Sequence, residues 1–135
     1  MEAGPVLIDT NVFIEHIRAA SKENTLLARL HDSRMRLLTS TIVVAELAYG
    51  ARSRGMRSTV EDVLAPVTTI PFTADAAMRI SIEAEQLRKR NALIGFRDLA
   101  IASVALTCDV PIVTHNQREF RCISALHLID LSAFQ

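Results

Sequence analysis

The chain has 135 residues, with 15 Lys+Arg balanced by 15 Asp+Glu for a formal net charge of zero. Half the residues are apolar and 22% are charged, which excludes a disordered chain and a protein that coats DNA by bulk charge. The length suits a single domain over residues 1–135 with one sizeable core.

Two cysteines, Cys108 and Cys122, make neither a disulfide framework nor a zinc site, and they fit a reducing cytoplasm. The opening Met1-Glu2-Ala3-Gly4-Pro5 lacks the basic stretch and long apolar run of a signal peptide. No apolar stretch approaches the ~18–20 residues of a membrane span, so the expected location is cytoplasmic.

Taken in chain order, Pro5-Val6-Leu7-Ile8 reads as a short buried parallel strand that stops at Asp9. Asp9-Thr10-Asn11 then caps a helix carrying Val12, Phe13, Ile14 and Ile17. A second helix is expected from Glu23 to His31, and a second strand at Arg36-Leu37-Leu38-Thr39. Ser40-Thr41 caps a helix expected to run to about Arg54, and Thr59 to Ala65 reads as another. Val67 to Ile70 is a third strand. Thr73 caps a longer helix whose apolar positions Ala77, Ile80, Ala84 and Leu87 step by three or four. A further helix covers about Arg97 to Thr107. Pro111-Ile112-Val113-Thr114 is a strong strand, Asn116 to Glu119 a turn or short helix, and His127 to Ile129 a weak final strand. Alternating strands and helices predict an α/β fold, a short, mainly parallel sheet covered on both faces. Such sheets carry their sites at the carboxyl ends of strands, where Asp9 and Thr114 to Asn116 fall.

Three acids sit awkwardly in that scheme. Asp9, taken alone, is also a favoured helix cap. Glu46 lies inside the apolar run Thr41-Ile42-Val43-Val44-Ala45-Glu46-Leu47-Ala48, where an ionised carboxylate needs either a cation or a narrow exposed stripe. Asp98 opens the almost wholly apolar Leu99 to Leu106, and a cap or a pairing with Arg97 or Arg90 would also account for it. Thr114, Asn116 and Glu119 follow a strand as ordinary turn residues would. Considered together, clustered carboxylates resist ionising unless a cation neutralises them. Oxygen donors without thiolate or imidazole select a hard ion, Mg²⁺ or Mn²⁺. His16, His31, His115 and His127 lack metal-ligand spacing. No nucleophilic triad and no Gly-rich phosphate loop is present.

The segments Leu7 to Ile14, Ser40 to Ala51, Arg97 to Ala102 and Val113 to Phe120 resemble the ordered motifs of a PIN domain, and more narrowly those of VapC toxins from bacterial type II toxin–antitoxin pairs. The resemblance covers nearly the whole chain. It implies a three-layer α/β/α fold and a metal-dependent endoribonuclease leaving 5′-phosphate and 3′-hydroxyl ends. It carries Asp9, Glu46 and Asp98 over as Mg²⁺ ligands, with Mn²⁺ as substitute. Some family members have Asp where this chain has Asn116; here Glu119 is expected to supply the fourth carboxylate while Asn116 orders the site. Thr10 and Thr114 correspond to hydroxyl residues lining the pocket. The resemblance also implies a homodimer and a VapB-type antitoxin whose amphipathic segment fills a groove near the site.

Metal-activated water would then attack a phosphodiester of single-stranded or looped RNA. Arginines 52, 54, 57, 97 and 118 are candidates for phosphate contact, since Arg makes up 13 of the 15 basic residues. The rival reading is a catalytically inactive PIN-like module that holds RNA or protein. A phospho-acceptor receiver domain is excluded because Lys22 and Lys89, the only lysines, both fall in helical segments.

Overall fold

The computed structural model describes residues 4–135; the absence of leader character at Met1-Glu2-Ala3 lies outside the described residues. Four short strands form the sheet: β1 (Pro5–Ile8), β2 (Arg36–Ser40), β3 (Thr68–Ile70) and β4 (Ile112–Val113). Their order is β3-β2-β1-β4, and every pairing is parallel. Register is set by Val6 opposite Leu37 and by Ile8 opposite Val113. Val6, Leu7 and Ile8 are almost wholly buried, as a central strand covered on both faces requires. The final strand expected at His127 to Ile129 is reduced to a single parallel bridge between Ile112 and Leu128.

Seven α-helices flank the sheet among the described residues: α1 (Thr10–Arg18), α2 (Leu26–Asp32), α3 (Thr41–Gly50), α4 (Arg54–Leu64), α5 (Ala74–Lys89), α6 (Phe96–Cys108) and α7 (Gln117–Phe120). Side-chain caps start most of them. Asp9 accepts from the Thr10 N–H, Ser40 from Val43, Thr73 from Ala76 and Thr25 from Ala28. Two boundaries depart from expectation. The second helix begins at Leu26, because Thr25 caps it and Lys22–Asn24 form a separate 3₁₀ turn. The third ends at Gly50 instead of about Arg54, and Ser53 caps α4 several residues ahead of the expected Thr59.

α6 shows why the core lies where it does. Leu99 through Ala105 are all buried, so this helix has no wet face along its middle, and α5 packs along it. α1 packs on α2 and α3. Its Phe13 and Val12, with Leu30 of α2, are fully buried in the same apolar cluster as β1. This burial fixes the starts of α1, α3 and α6 near the C-terminal ends of β1, β2 and β4. No helix among the described residues is long and apolar enough to cross a membrane.

Candidate active site

Asp9 leaves the end of β1 and is fully buried. One oxygen, Oδ1, accepts from the Thr10 backbone N–H at 2.7 Å; the other, Oδ2, accepts from the Thr114 hydroxyl at 2.8 Å. Asp9 is therefore both a helix cap and a member of the site, because the cap uses only part of its hydrogen-bonding capacity. Thr114 sits where the chain leaves β4, whose neighbour is β1, so adjacent parallel strands present both residues at one edge. The Thr114 Oγ1 also accepts from the Asn11 side chain at 3.2 Å and from the Asn116 backbone N–H at 2.9 Å.

Glu46 reaches the same edge from α3. The Thr10 hydroxyl donates to its Oε1 at 2.8 Å. The helix around it is less enclosed than its apolar sequence suggests: Ala45, Ala48 and Tyr49 are exposed, and the Glu46 side chain is 36% exposed. Asp98 enters from the first turn of α6, with its side chain 13% exposed. Asn116 donates to Asp98 Oδ2 at 3.1 Å.

Arg97 joins the three acids. Its Nε donates to both oxygens of Glu46 at 2.8 Å, Nη1 to Asp98 Oδ1 at 2.5 Å, and Nη2 to Asp9 Oδ1 and Thr10 Oγ1 at 2.7 Å each. Burial works against the Arg97 charge, but its bonds to Glu46 and Asp9 outweigh that and raise its pKa above the ordinary guanidinium value. Asp98 is shifted upward: burial and the charges of Asp9 and Glu119 outweigh the opposing pull of Arg97.

Of the seven residues expected in the site, Asp9, Thr10, Glu46, Asp98, Thr114 and Asn116 are joined in one hydrogen-bonded network with Arg97. Glu119, on α7, is close enough for its charge to act on Asp98 but has no hydrogen bond to Asp9, Glu46 or Asp98 among the described residues. Arg97 turns inward onto the acids, whereas Arg52, Arg54, Arg57 and Arg118 are exposed. Sequence reasoning offered a pairing of Asp98 with Arg97, which forms, but missed the reach of Arg97 to Asp9 and Glu46 and the support from Asn11, which bonds Asp9, Thr114 and the His115 backbone. One signal did mark Arg97: a cation in the first turn of a helix works against the helix dipole and needs a compensating partner. His115 lines the mouth of the hollow and pairs with Glu15 at 3.0 Å.

The donor set suits a hard divalent cation. Three carboxylates from three separate elements converge on one positive group, with oxygen donors and neither imidazole nor thiolate among them. With the guanidinium between them, no three acidic, His or Cys side chains among the described residues stand close enough to ligate one ion.

A parallel sheet with carboxylates gathered at its C-terminal edge defines an α/β protein with an acidic site. The PIN domain model matches residues 6–126, and the chain belongs to the PIN-domain family, in its VapC branch. It is 31% identical over 124 residues to Ribonuclease VapC2 of Haemophilus influenzae, covering 89% of this chain and 92% of that protein. It is 26% identical over 130 residues to the tRNA(fMet)-specific endonuclease VapC of Shigella flexneri, covering 93% and 97% of the two chains. Among solved structures, VapBC-1 of nontypeable Haemophilus influenzae superposes with a TM-score of 0.79 at 28% identity, covering 94% of this chain and 98% of that one. The DNA-bound VapBC2 of Rickettsia felis gives 0.78 at 28% identity, covering 92% and 96%.

Proposed function

We propose that this chain is a Mg²⁺-dependent endoribonuclease and the toxin of a type II toxin–antitoxin module. One observation carries the reading: Asp9, Glu46 and Asp98, remote in sequence, surround a single cationic group at the C-terminal edge of a parallel sheet. The ribonuclease names of the VapC relatives support it.

Asp9, Glu46 and Asp98 would hold Mg²⁺ or Mn²⁺, with Glu119 as a further carboxylate beside Asp98. When bound, the ion supplies a water of lowered pKa and stabilises charge developing on phosphate oxygens. The chain's own residues do the positioning. Thr114 and the Thr10 N–H hold the Asp9 carboxylate in one orientation. The Thr10 hydroxyl steadies Glu46, and Asn116 steadies Asp98. Asn11, His115 and Ile14 line the mouth through which an RNA phosphate would approach. Single-stranded or looped RNA is the substrate class, because its phosphate must reach an acid partly sunk below the surface.

A VapB-type antitoxin is the proposed partner, supported by the VapBC complexes to which this fold is similar, and a second copy of the chain is proposed from the family resemblance alone. An apolar hollow lined by Ile14, Ile17, Leu47, Met56 and Val60 adjoins Glu46 and would take an amphipathic segment.

The Arg97 ion pairs favour a second reading, an inactive module whose acids are permanently neutralised. Incubation with total RNA separates the two. Cleavage with Mg²⁺ that stops with excess EDTA and in Asp9→Asn supports the nuclease; no cleavage under any metal condition supports the inactive module.

A further inference from the structure

Arg97 is an unexpected residue for its position. It occupies the first turn of α6, whose N-cap Gly95 offers no side-chain bond and whose dipole disfavours a cation. Even so, every nitrogen of its guanidinium donates to a group of the acidic site.

Arg97 and a divalent ion would draw on the same three carboxylates. Asp9 Oδ1, both oxygens of Glu46 and Asp98 Oδ1 all bond Arg97, so the guanidinium takes up lone pairs that a divalent ion held by these three acids would use. With Arg97 bonded to all three acids, no three acidic, His or Cys side chains among the described residues stand close enough to ligate one ion. An ion and the inward guanidinium would repel each other and compete for the same lone pairs.

We infer that Arg97 is an internal latch: its guanidinium fills the acidic site in a metal-free state, and a divalent cation occupies the site only after Arg97 swings out. This rests on the reading of Asp9, Glu46 and Asp98 as a metal site.

The fold permits the swing. The Arg97 side chain is 37% exposed, so a path to solvent already exists. Its backbone is anchored independently, because the Leu99 N–H donates to the Gly95 carbonyl at 3.1 Å and the buried body of α6 follows. Release therefore requires new side-chain rotamers without unfolding of the helix. Thr10 also becomes free of Arg97 while keeping its own bond to Glu46. The latch makes apparent metal affinity depend on how readily Arg97 leaves, since a competent state populated only in part weakens binding in proportion.

Mg²⁺ binding to the chelator-stripped full chain tests this, measured by calorimetry for the native protein and for Arg97→Gln. The glutamine variant should bind Mg²⁺ at least tenfold more tightly and should melt at a lower temperature in EDTA. A native-like or weaker Mg²⁺ affinity in Arg97→Gln overturns the latch and leaves the nuclease reading intact. Failure of both proteins to bind Mg²⁺ overturns the metal reading and the latch together. If Arg97→Gln does not fold, the native protein gives the answer through the NMR signal of the Arg97 Nε–H. That proton should be protected from water exchange in EDTA and exposed at saturating Mg²⁺; protection unchanged by Mg²⁺ overturns the latch.

Discussion

Arg97 and Glu46 lie 51 positions apart, yet the Arg97 Nε stands 2.8 Å from each oxygen of the Glu46 carboxylate. The contact joins the first turn of α6 to the middle of α3 across the edge of the sheet. Through Arg97 the same contact extends to Asp9 and Asp98, so altering any of these residues should be felt by the others.

Asp9→Asn keeps the size of the side chain and its cap to Thr10 but removes the charge. RNA cleavage should fall at least about 100-fold, the scale seen when a group that stabilises developing charge is lost. The circular dichroism spectrum should stay native. EDTA added to the native protein should reproduce the loss, as followed on labelled RNA.

Added Mg²⁺ should raise the melting temperature, since an ion at ~100 times its Kd stabilises the folded state by about 2.7 kcal/mol. Asp98→Ala should shrink that rise by removing one donor. A thermal scan with and without Mg²⁺ measures both; an unchanged metal response in Asp98→Ala removes Asp98 from the site.

Thr114→Val should leave Asp9 Oδ2 without its hydroxyl donor and the Asn116 N–H without its acceptor, both near the end of β4. Asp9 Oδ2 keeps only the long 3.4 Å bond from Asn11, and an unmatched polar group costs about 1–3 kcal/mol, so the urea midpoint should drop. Cleavage should fall as well, because Asp9 loses the bond that orients it.

Phe120 is fully buried at the end of α7 and anchors the segment that carries Asn116 and Glu119. Phe120→Ala should cost about 3–5 kcal/mol through the lost burial and the cavity left behind. Phe120→Leu keeps most of the volume and should cost under about 1.5 kcal/mol. Urea unfolding of the two variants gives the comparison.

His16, away from the site, gives the fold a pH dependence. Burial first, then the nearby charge of Lys22, hold its pKa below the ordinary 6.5, against a smaller opposing effect of Glu15. The unfolded chain therefore binds the proton more readily than the folded one. The contribution of neutral His16 is fully present above pH 6.5 and is lost as pH falls through the lowered folded value. Urea midpoints measured from pH 7.5 downward should decline less steeply in His16→Gln than in the native protein.

The alternation of Val6-Leu7-Ile8, Leu37-Leu38 and Ile112-Val113 with apolar helices made the parallel α/β sheet legible, because burial on both faces writes itself as continuous apolar runs. Asp9 and Thr114 were legible for a similar reason: both directly follow strands, and parallel strands deliver their C-terminal ends to one edge. Helix boundaries were less so. Thr25 and Ser53 act as caps only because the chain turns there, and neighbouring Ser and Thr residues have the same local character.

By itself, the sequence determined the strands, the helices and which acids were out of place, since hydrophobic periodicity and charge are properties of neighbours along the chain. Only the tertiary structure decided that Arg97, instead of an outward-facing phosphate contact, is the cation around which Asp9, Glu46 and Asp98 close. The direction of a long, flexible side chain follows from the charges that folding brings within reach, and two of these, Asp9 and Glu46, come from segments tens of residues away.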